Sequence, residues 1–123
     1  MSRRLLLVDD EDDIRAVAQL SLETVGGWQV VTATSGTEAI GAATSGHFDA
    51  ILLDVMMPEL DGPTTLERLR EAGVAAPVVF LTAKVQPGDR RALEATGAAG
   101  ILAKPFDPMQ LPADLDRVLE GAT

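Results

Sequence analysis

The sequence predicts an α/β protein built on an open parallel β-sheet with helices on both of its faces. Five short apolar runs recur at regular intervals along the 123 residues, and segments with helical spacing separate them. Three of these runs, LLLV, AILL and VVFL, contain no polar residue, as is typical of strands that are covered on both sides. A closed eight-stranded barrel would need about twice as many residues, so the sequence favours a five-fold repeat of strand and helix.

The apolar runs and their spacing give the approximate position of each element. The strands are predicted at residues 5–8, 30–33, 50–53, 78–81 and 100–103. The first helix is predicted over about residues 11–25, and apolar residues at helical spacing mark one face of each of the five helices. These face residues are, helix by helix, Ile14, Val17, Ala18, Leu22 and Val25; Ala39, Ile40 and Ala43; Leu66, Leu69 and Gly73; Ala92, Leu93, Ala95 and Thr96; and Leu111, Leu115, Val118, Leu119 and Ala122.

Glycine and proline mark where the helices end and begin. Glycines follow the first four predicted helices, at Gly26 and Gly27, Gly46, Gly73 and Gly97. Pro87 is predicted in the first turn of the fourth helix, where its missing N–H is tolerated. Because the chain shows no linker and no internal repeat, residues 1–123 are predicted to form a single domain.

The composition excludes several classes of function. Ten Lys and Arg residues against nineteen Asp and Glu residues give a net charge of −9, which argues against binding to nucleic acid or to an anionic membrane surface. The chain has no Cys and one His, so disulfides, thiol catalysis and tetrahedral zinc sites are excluded. Arg3, Arg4 and the LLLV run mimic the start of a secretion signal, but five acidic residues at 9–13 interrupt it. We therefore expect a soluble cytoplasmic protein.

Polar residues follow four of the five predicted strands, at the point where each strand ends. Asp9 and Asp10 follow the first strand, Asp54 the third, Thr82 the fourth and Lys104 the fifth. The carboxyl ends of parallel strands lie at the same edge of a sheet, and ligands of open α/β sheets bind there. The sequence therefore predicts a site that combines three carboxylates, a hydroxyl and an ammonium group.

These residue types are suited to phosphoryl transfer. Carboxylates that share a pocket repel each other by about 1 kcal/mol or more per contact, and a divalent cation removes that penalty. Because the ligands are oxygen atoms, we expect Mg²⁺ or Mn²⁺, and Mg²⁺ in particular, since it is typically held by a few protein ligands and retained waters. A carboxylate beside such a cation can attack phosphorus and form an acyl phosphate, while Lys104 and Thr82 suit phosphoryl oxygens. Asp12 and Asp13 are more simply interpreted as acids that complement the first helix.

Four segments, LLLVDDEDDIR, DAILLDVMMPELDG, VVFLTA and GILAKPF, resemble the receiver domain of bacterial two-component response regulators, the CheY-like family. The resemblance covers about residues 4–120. It implies a flavodoxin-like fold, a three-layer (βα)5 sandwich with strand order 2-1-3-4-5. It also implies that Asp54 is the phospho-acceptor and that Asp9 and Asp10 bind the metal. Thr82 would match the hydroxyl that moves toward the phosphoryl group, and Lys104 the lysine that pairs with it.

The same resemblance implies further details of the site and its partners. The backbone carbonyl of Met56 would be a metal ligand, and the Lys104–Pro105 peptide bond would be cis. A histidine kinase or a phosphotransfer protein would supply the phosphoryl group from a phosphohistidine. The domain would catalyse its own phosphorylation and dephosphorylation and would not otherwise be an enzyme. Its output would pass through the face of the fourth helix, fifth strand and fifth helix to a downstream partner or to an effector domain missing from this chain.

One position departs from the family pattern. Ile101 stands on the fifth strand where Tyr or Phe is usual, so coupling through a rotating aromatic ring cannot operate. We hypothesise that the signal runs instead through Thr82 and repacking of the fourth helix. Met56 and Lys84, each two residues beyond an expected site residue, are predicted to flank the pocket mouth and tune the lifetime of the acyl phosphate. Ala83 is small and leaves room for a donor histidine.

Three other functions fit these residues less well. A haloacid-dehalogenase-like phosphatase would need a second acid two residues after the nucleophile, where this chain has Met56. A flavodoxin-like FMN-binding protein would need a Ser, Thr or Gly phosphate loop after the first strand, where this chain has five acidic residues. A receiver that is never phosphorylated would usually lack the acceptor or the lysine, and this chain retains Asp54 and Lys104.

Overall fold

A computed structural model describes residues 3–83 and 86–121 and confirms the predicted α/β architecture. Within those residues, five strands alternate with five helices. Their bounds are β1 (Arg4–Val8), α1 (Asp12–Thr24), β2 (Gln29–Ala33), α2 (Gly36–Ser45), β3 (Ala50–Asp54), α3 (Gly62–Glu71), β4 (Val78–Thr82), α4 (Pro87–Glu94), β5 (Gly100–Ala103) and α5 (Leu111–Gly121). The strands pair in parallel in the order β2-β1-β3-β4-β5, which confirms the order that the family resemblance implies.

The hydrophobic core is divided between the two faces of the sheet. Because successive side chains of a strand point to opposite faces, Leu6 packs in one core while its neighbours Leu5 and Leu7 pack in the other. Helices α2, α3 and α4 cover the first core, and α1 and α5 cover the second. Burying each large apolar side chain stabilises the fold by about 1.5–3 kcal/mol. This two-sided burial explains why the strand sequences are apolar without interruption.

The strand order places a crevice between β1 and β3. The chain leaves β1 to form β2 on one side and later returns to place β3 on the other side. The connections after these strands therefore diverge to opposite faces of the sheet and leave a gap at its carboxyl edge. The predicted polar residues follow the strands at this edge.

The predicted buried face of α1 is partly wrong. Val17 and Val25 are 44% and 47% exposed, whereas Ser21, which was not predicted to face the core, is 4% exposed. The Ser21 hydroxyl donates a hydrogen bond to the backbone carbonyl of Pro108 in the connection that precedes α5. Because this bond satisfies the buried hydroxyl, a polar residue can occupy a core position that periodicity alone assigns to an apolar one.

Helix ends follow the predicted pattern at most positions. Gly27, Gly73 and Gly97 have φ values of 70°, 84° and 88°, the left-handed conformation that glycine adopts most easily, and α4 begins at Pro87.

The prediction that Gly73 belongs to the apolar face of the third helix is wrong, because α3 ends at Glu71. Ala95 and Thr96 likewise follow α4, and the predicted face residue Ala122 lies outside the described residues. In the described part of the chain, no helix is both long and apolar enough to cross a lipid bilayer.

Candidate functional site

The register of the sheet brings the predicted site residues to one edge. Val8 pairs with Leu53, so Asp9 and Asp54 are the next residues on two neighbouring strands. Asp54 in turn pairs with Leu81, one residue before Thr82. Thr82 pairs with Ala103, one residue before Lys104, and the Lys104 backbone N–H donates to the Thr82 carbonyl at 2.8 Å.

The Lys104 ammonium group lies at the centre of the site. Its Nζ atom is 2.9 Å from Asp9 Oδ2, 3.2 Å from Asp54 Oδ1 and 3.5 Å from Glu11 Oε1. The Lys104 side chain is 9% exposed, and those of Asp9 and Asp54 are 0% and 3% exposed. The Lys104–Pro105 peptide bond is cis, as the resemblance implies. Lys104 therefore joins the ends of β1, β3 and β5 through buried ion pairs.

Four acidic side chains converge around this lysine. One carboxylate oxygen from each of Asp9, Asp10, Glu11 and Asp54 lies within 4.8 Å of the others. Asp10 Oδ1 and Asp54 Oδ2 are buried and have no hydrogen-bond partner among residues 3–83 and 86–121. A buried acceptor without a partner is costly, and carboxylate oxygens are the ligands that hard divalent cations prefer. The donor set therefore fits a magnesium ion.

Backbone contacts orient the two buried carboxylates. Asp9 Oδ1 accepts a hydrogen bond from the Glu11 N–H at 2.9 Å, and Asp54 Oδ1 accepts one from the Met56 N–H at 3.3 Å. For Asp54, both this bond and the Lys104 ion pair fall on Oδ1. Its second oxygen, Oδ2, is thus the one without a partner among the described residues and is chemically the better placed to act as a ligand or nucleophile.

Burial and neighbouring charges shift the pKa values of Asp54 and Lys104. Burial, together with the nearby Asp9 carboxylate, raises the pKa of Asp54 from 3.8 to about 6, against the opposing effects of Lys104 and the Met56 N–H. For Lys104, burial works to lower the pKa, but the carboxylates of Asp9 and Asp54 outweigh it and the pKa is raised. In the metal-free protein, ionised Asp54 therefore lowers the free energy of unfolding.

The destabilising charge of Asp54 predicts that Asp54→Asn changes the free energy of unfolding in a pH-dependent way. The folded protein binds more protons than the unfolded chain between about pH 4 and pH 6, so the Asp54 contribution to stability falls as the pH rises through that window. Without divalent cations, we expect the variant to exceed wild type in free energy of unfolding by about 2 kcal/mol near neutral pH, and the gain to vanish at about pH 4.

Urea denaturation in the presence of a chelator across this pH range measures the effect. Asp61→Asn is a suitable control, because Asp61 is exposed and caps α3 by accepting a hydrogen bond from the Thr64 N–H, a role that Asn fills equally well. A difference between wild type and Asp54→Asn that stays constant from about pH 4 to pH 7 would contradict the raised pKa of Asp54.

The other predicted residues differ in where they lie relative to this centre. Thr82 is fully buried at the end of β4, and the Met56 residue is 56% exposed just beyond β3. Ile101 is 7% exposed and pairs with Phe80 on β4, so it is a core residue of the sheet. Lys84, predicted at the pocket mouth, lies outside the described residues.

Two residues near the site were missed from the sequence. Glu11 was passed over as one acid in a run of five, although it directly follows the acidic pair and its carboxylate faces Lys104. Gly62 was not singled out either. A Cβ atom at Gly62 would lie 2.6 Å from the Asp54 carbonyl oxygen and 2.9 Å from Val55 Cα, and its N–H donates to the Val55 carbonyl at 2.9 Å. The ELDG segment, with glycine directly after a helix cap, is the signal that could have found it.

The close approach of Gly62 predicts that Gly62→Ala is destabilising. The added methyl group would press on backbone atoms beside Asp54, which cannot rotate away, so we expect a loss of about 2 kcal/mol in the free energy of unfolding. Gly41→Ala in α2 is the matched control, because a Cβ there meets no atom within 4 Å, and it should gain about 0.5–1 kcal/mol. Thermal or urea denaturation measures both, and equal effects of the two variants would contradict the packing argument.

Comparison with known proteins identifies the family. The sequence model of the response regulator receiver domain matches residues 5–116 of this chain. This match covers most of the chain and includes β2 to β5, all of β1 after Arg4, and the acidic edge of the sheet. The chain therefore belongs to the response regulator receiver domain family, whose members act in two-component signalling.

Similar proteins agree with this assignment. The chain is 37% identical over 119 residues to the alkaline phosphatase synthesis transcriptional regulatory protein PhoP of Bacillus subtilis, covering 97% of this chain and 49% of PhoP. It is 42% identical over 118 residues to the response regulator Rre1 of Synechocystis, covering 94% of this chain and 51% of Rre1. This chain thus spans about half the length of the curated relatives it matches. The solved structure of the chemotaxis response regulator CheY4 of Vibrio cholerae is similar with a TM-score of 0.88 and 34% identity, covering 96% of this chain and 99% of CheY4.

Proposed function

We propose that residues 1–123 form a single cytoplasmic receiver domain that accepts a phosphoryl group on Asp54 in a Mg²⁺-dependent reaction. A phosphohistidine on a histidine kinase or a phosphotransfer protein would be the donor. The observation that carries the proposal is the difference between the two oxygens of the Asp54 carboxylate. Its Oδ1 is held by Lys104 and the Met56 N–H, while its Oδ2 is buried beside three other acids with no hydrogen-bond partner among the described residues.

The reaction follows from this arrangement. Asp54 Oδ2 forms a bond to phosphorus as the bond between phosphorus and the donor imidazole nitrogen breaks. The other ring nitrogen of the phosphohistidine carries a proton, so the nitrogen that keeps the electron pair leaves as a neutral histidine and an acyl phosphate remains on the protein. A magnesium ion bound by Asp9, Asp10 and Asp54, with the Met56 carbonyl, would neutralise charge on the phosphoryl oxygens. Hydrolysis of the acyl phosphate by water in the same pocket returns the protein to its starting state.

The remaining site residues have supporting roles in the proposal. Lys104 is 3.2 Å from Asp54 Oδ1, so its ammonium group can move to a phosphoryl oxygen with little displacement. The Thr82 hydroxyl would contact a second phosphoryl oxygen. Met56 and Lys84 would tune how long the acyl phosphate survives, because both follow site residues by two positions.

The output of phosphorylation is proposed to pass through Thr82 and α4. Because Ile101 replaces the usual aromatic residue, no ring can rotate with Thr82 at this position. Among the described residues of α4, Leu93 is the buried one, and so few buried contacts are typical of an element that can repack. A changed surface of α4, β5 and α5 would then bind a downstream protein or an effector domain of the same polypeptide. Amide chemical shifts in α4 that stay unchanged on phosphorylation would contradict this route.

Uptake of a phosphoryl group from acetyl phosphate tests the proposal. Wild-type protein incubated with acetyl phosphate and Mg²⁺ should gain the mass of one phosphoryl group, because acetyl phosphate also carries a reactive phosphoryl group and releases acetate when its phosphorus–oxygen bond breaks. The same incubation with a chelator in place of Mg²⁺ should give no adduct. Intact-mass spectrometry measures both, and an adduct that is absent with Mg²⁺ or equally abundant with the chelator would refute the proposal.

A further inference from the structure

We propose that Glu11 is a positioning residue that holds the Lys104 ammonium group at the pocket mouth when the other carboxylates turn to the metal. The inference rests on the proposed function and deepens it. Lys104 contacts three carboxylates, at 2.9 Å in Asp9, 3.2 Å in Asp54 and 3.5 Å in Glu11. Of these three residues, Glu11 is the one that lies outside the proposed set of Mg²⁺ ligands.

The local structure of Glu11 supports a role beyond helix capping. Glu11 occupies the N-cap position of α1, yet its side chain caps no backbone N–H among the described residues. Glutamate is also not among the residues that N-cap positions favour. Its backbone N–H donates instead to Asp9 Oδ1, and its carboxylate extends toward Lys104. The Glu11 side chain therefore contacts Lys104 and does not cap the helix.

Exposure separates Glu11 from the buried acids. Its side chain is 58% exposed, whereas Asp9 and Asp54 are almost fully buried. A carboxylate at the rim can follow the flexible lysine stem as it moves, while the buried carboxylates are fixed by the strand ends. When Asp9 and Asp54 share their charge with a cation, Glu11 still attracts Lys104. Glu11 therefore keeps the ammonium group close to where phosphoryl oxygens arrive.

Lysine ammonium signals in NMR test this role without any phosphoryl donor. The chain has two lysines, Lys84 and Lys104, so protein labelled with ¹⁵N-lysine gives two side-chain signals, which Lys104→Met assigns. An ammonium group held in an ion pair exchanges protons with water slowly and stays visible. With saturating Mg²⁺, we expect the Lys104 signal in wild type and its loss in Glu11→Gln.

Asp12→Asn is the matched control. It removes the same charge from the neighbouring residue, whose carboxylate is 87% exposed and pairs with Arg15 rather than with Lys104. Asp12→Asn should keep the Lys104 signal and the wild-type rate of phosphoryl uptake. Glu11→Gln should slow uptake from acetyl phosphate at saturating Mg²⁺ by about fivefold, the effect of losing one weak ion pair.

Three outcomes would overturn the positioning role. The first is a Lys104 signal that is equally visible in Glu11→Gln and Asp12→Asn. The second is a loss of Mg²⁺ affinity in Glu11→Gln that exceeds that of Asp12→Asn by about tenfold or more, which would make Glu11 a metal ligand. The third is a normal uptake rate in Glu11→Gln. Absence of phosphoryl uptake in wild type would instead refute the proposed function, while the NMR comparison would still report on Glu11.

Discussion

The Asp54→Asn variant, incubated with acetyl phosphate and Mg²⁺, is expected to gain no phosphoryl group. The amide of Asn is not a nucleophile, and the substitution also removes the proposed acceptor carboxylate, whose Oδ2 is buried with no hydrogen-bond partner among the described residues. Loss of an essential nucleophile lowers rates by many orders of magnitude, so the adduct should fall at least about a hundredfold in an intact-mass time course. We expect the variant to remain folded, since Asn has nearly the same shape and relieves repulsion with Asp9.

The control for this experiment is an acid outside the site. Asp61→Asn carries the same change in charge at an exposed helix cap and should gain the phosphoryl group as wild type does. Circular dichroism of both variants verifies that they fold. An adduct that persists in Asp54→Asn would place the acceptor on another residue and would contradict the assignment of Asp54.

Lys104→Met is expected to destabilise the metal-free protein by about 3 kcal/mol near neutral pH. The substitution keeps the apolar stem but leaves the buried carboxylates of Asp9 and Asp54 without their cation. Mg²⁺ should restore much of the lost stability, because it binds the folded state and neutralises the same carboxylates. Affinity for Mg²⁺ should be unchanged or higher, since a competing positive charge has been removed.

Urea denaturation with and without Mg²⁺ measures the stability difference, and calorimetric titration measures the affinity. Lys104→Arg is the matched control, because it keeps the positive charge and should retain most of the stability. A large loss of Mg²⁺ affinity in Lys104→Met would show that Lys104 does not compete with the cation. Equal stability of the Met variant and wild type in the absence of metal would contradict the ion-pair network.

The fold could be predicted from the sequence because its signals are local and redundant. Uninterrupted apolar strands indicate a sheet buried on both faces, and the glycines that follow the helices mark their ends. The strand order came from the family resemblance, since periodicity does not determine which strands are neighbours. The prediction of the buried face of α1 was partly wrong because the hydrogen bond from Ser21 to Pro108 is a tertiary contact, which helical spacing cannot reveal.

Sheet topology alone brings four of the predicted site residues together, while their chemical roles stay predictions. Asp9, Asp54, Thr82 and Lys104 directly follow or end parallel strands, so sheet geometry places them at one edge. Glu11 was missed because its contact depends on the direction of a side chain at the start of α1, which a run of acids does not specify. The unpaired oxygen of Asp54 and its raised pKa likewise depend on burial and on exact distances.

The central claim is that Asp54 itself carries the phosphoryl group, and chemical trapping tests it most directly. Borohydride reduces an acyl phosphate to an alcohol, so a phosphorylated aspartate becomes homoserine, which peptide mass spectrometry locates by position. After incubation with acetyl phosphate and Mg²⁺, we predict homoserine at position 54 in the peptide that spans the end of β3. Homoserine at position 9, 10 or any other acid, with unmodified Asp54, would contradict the claim.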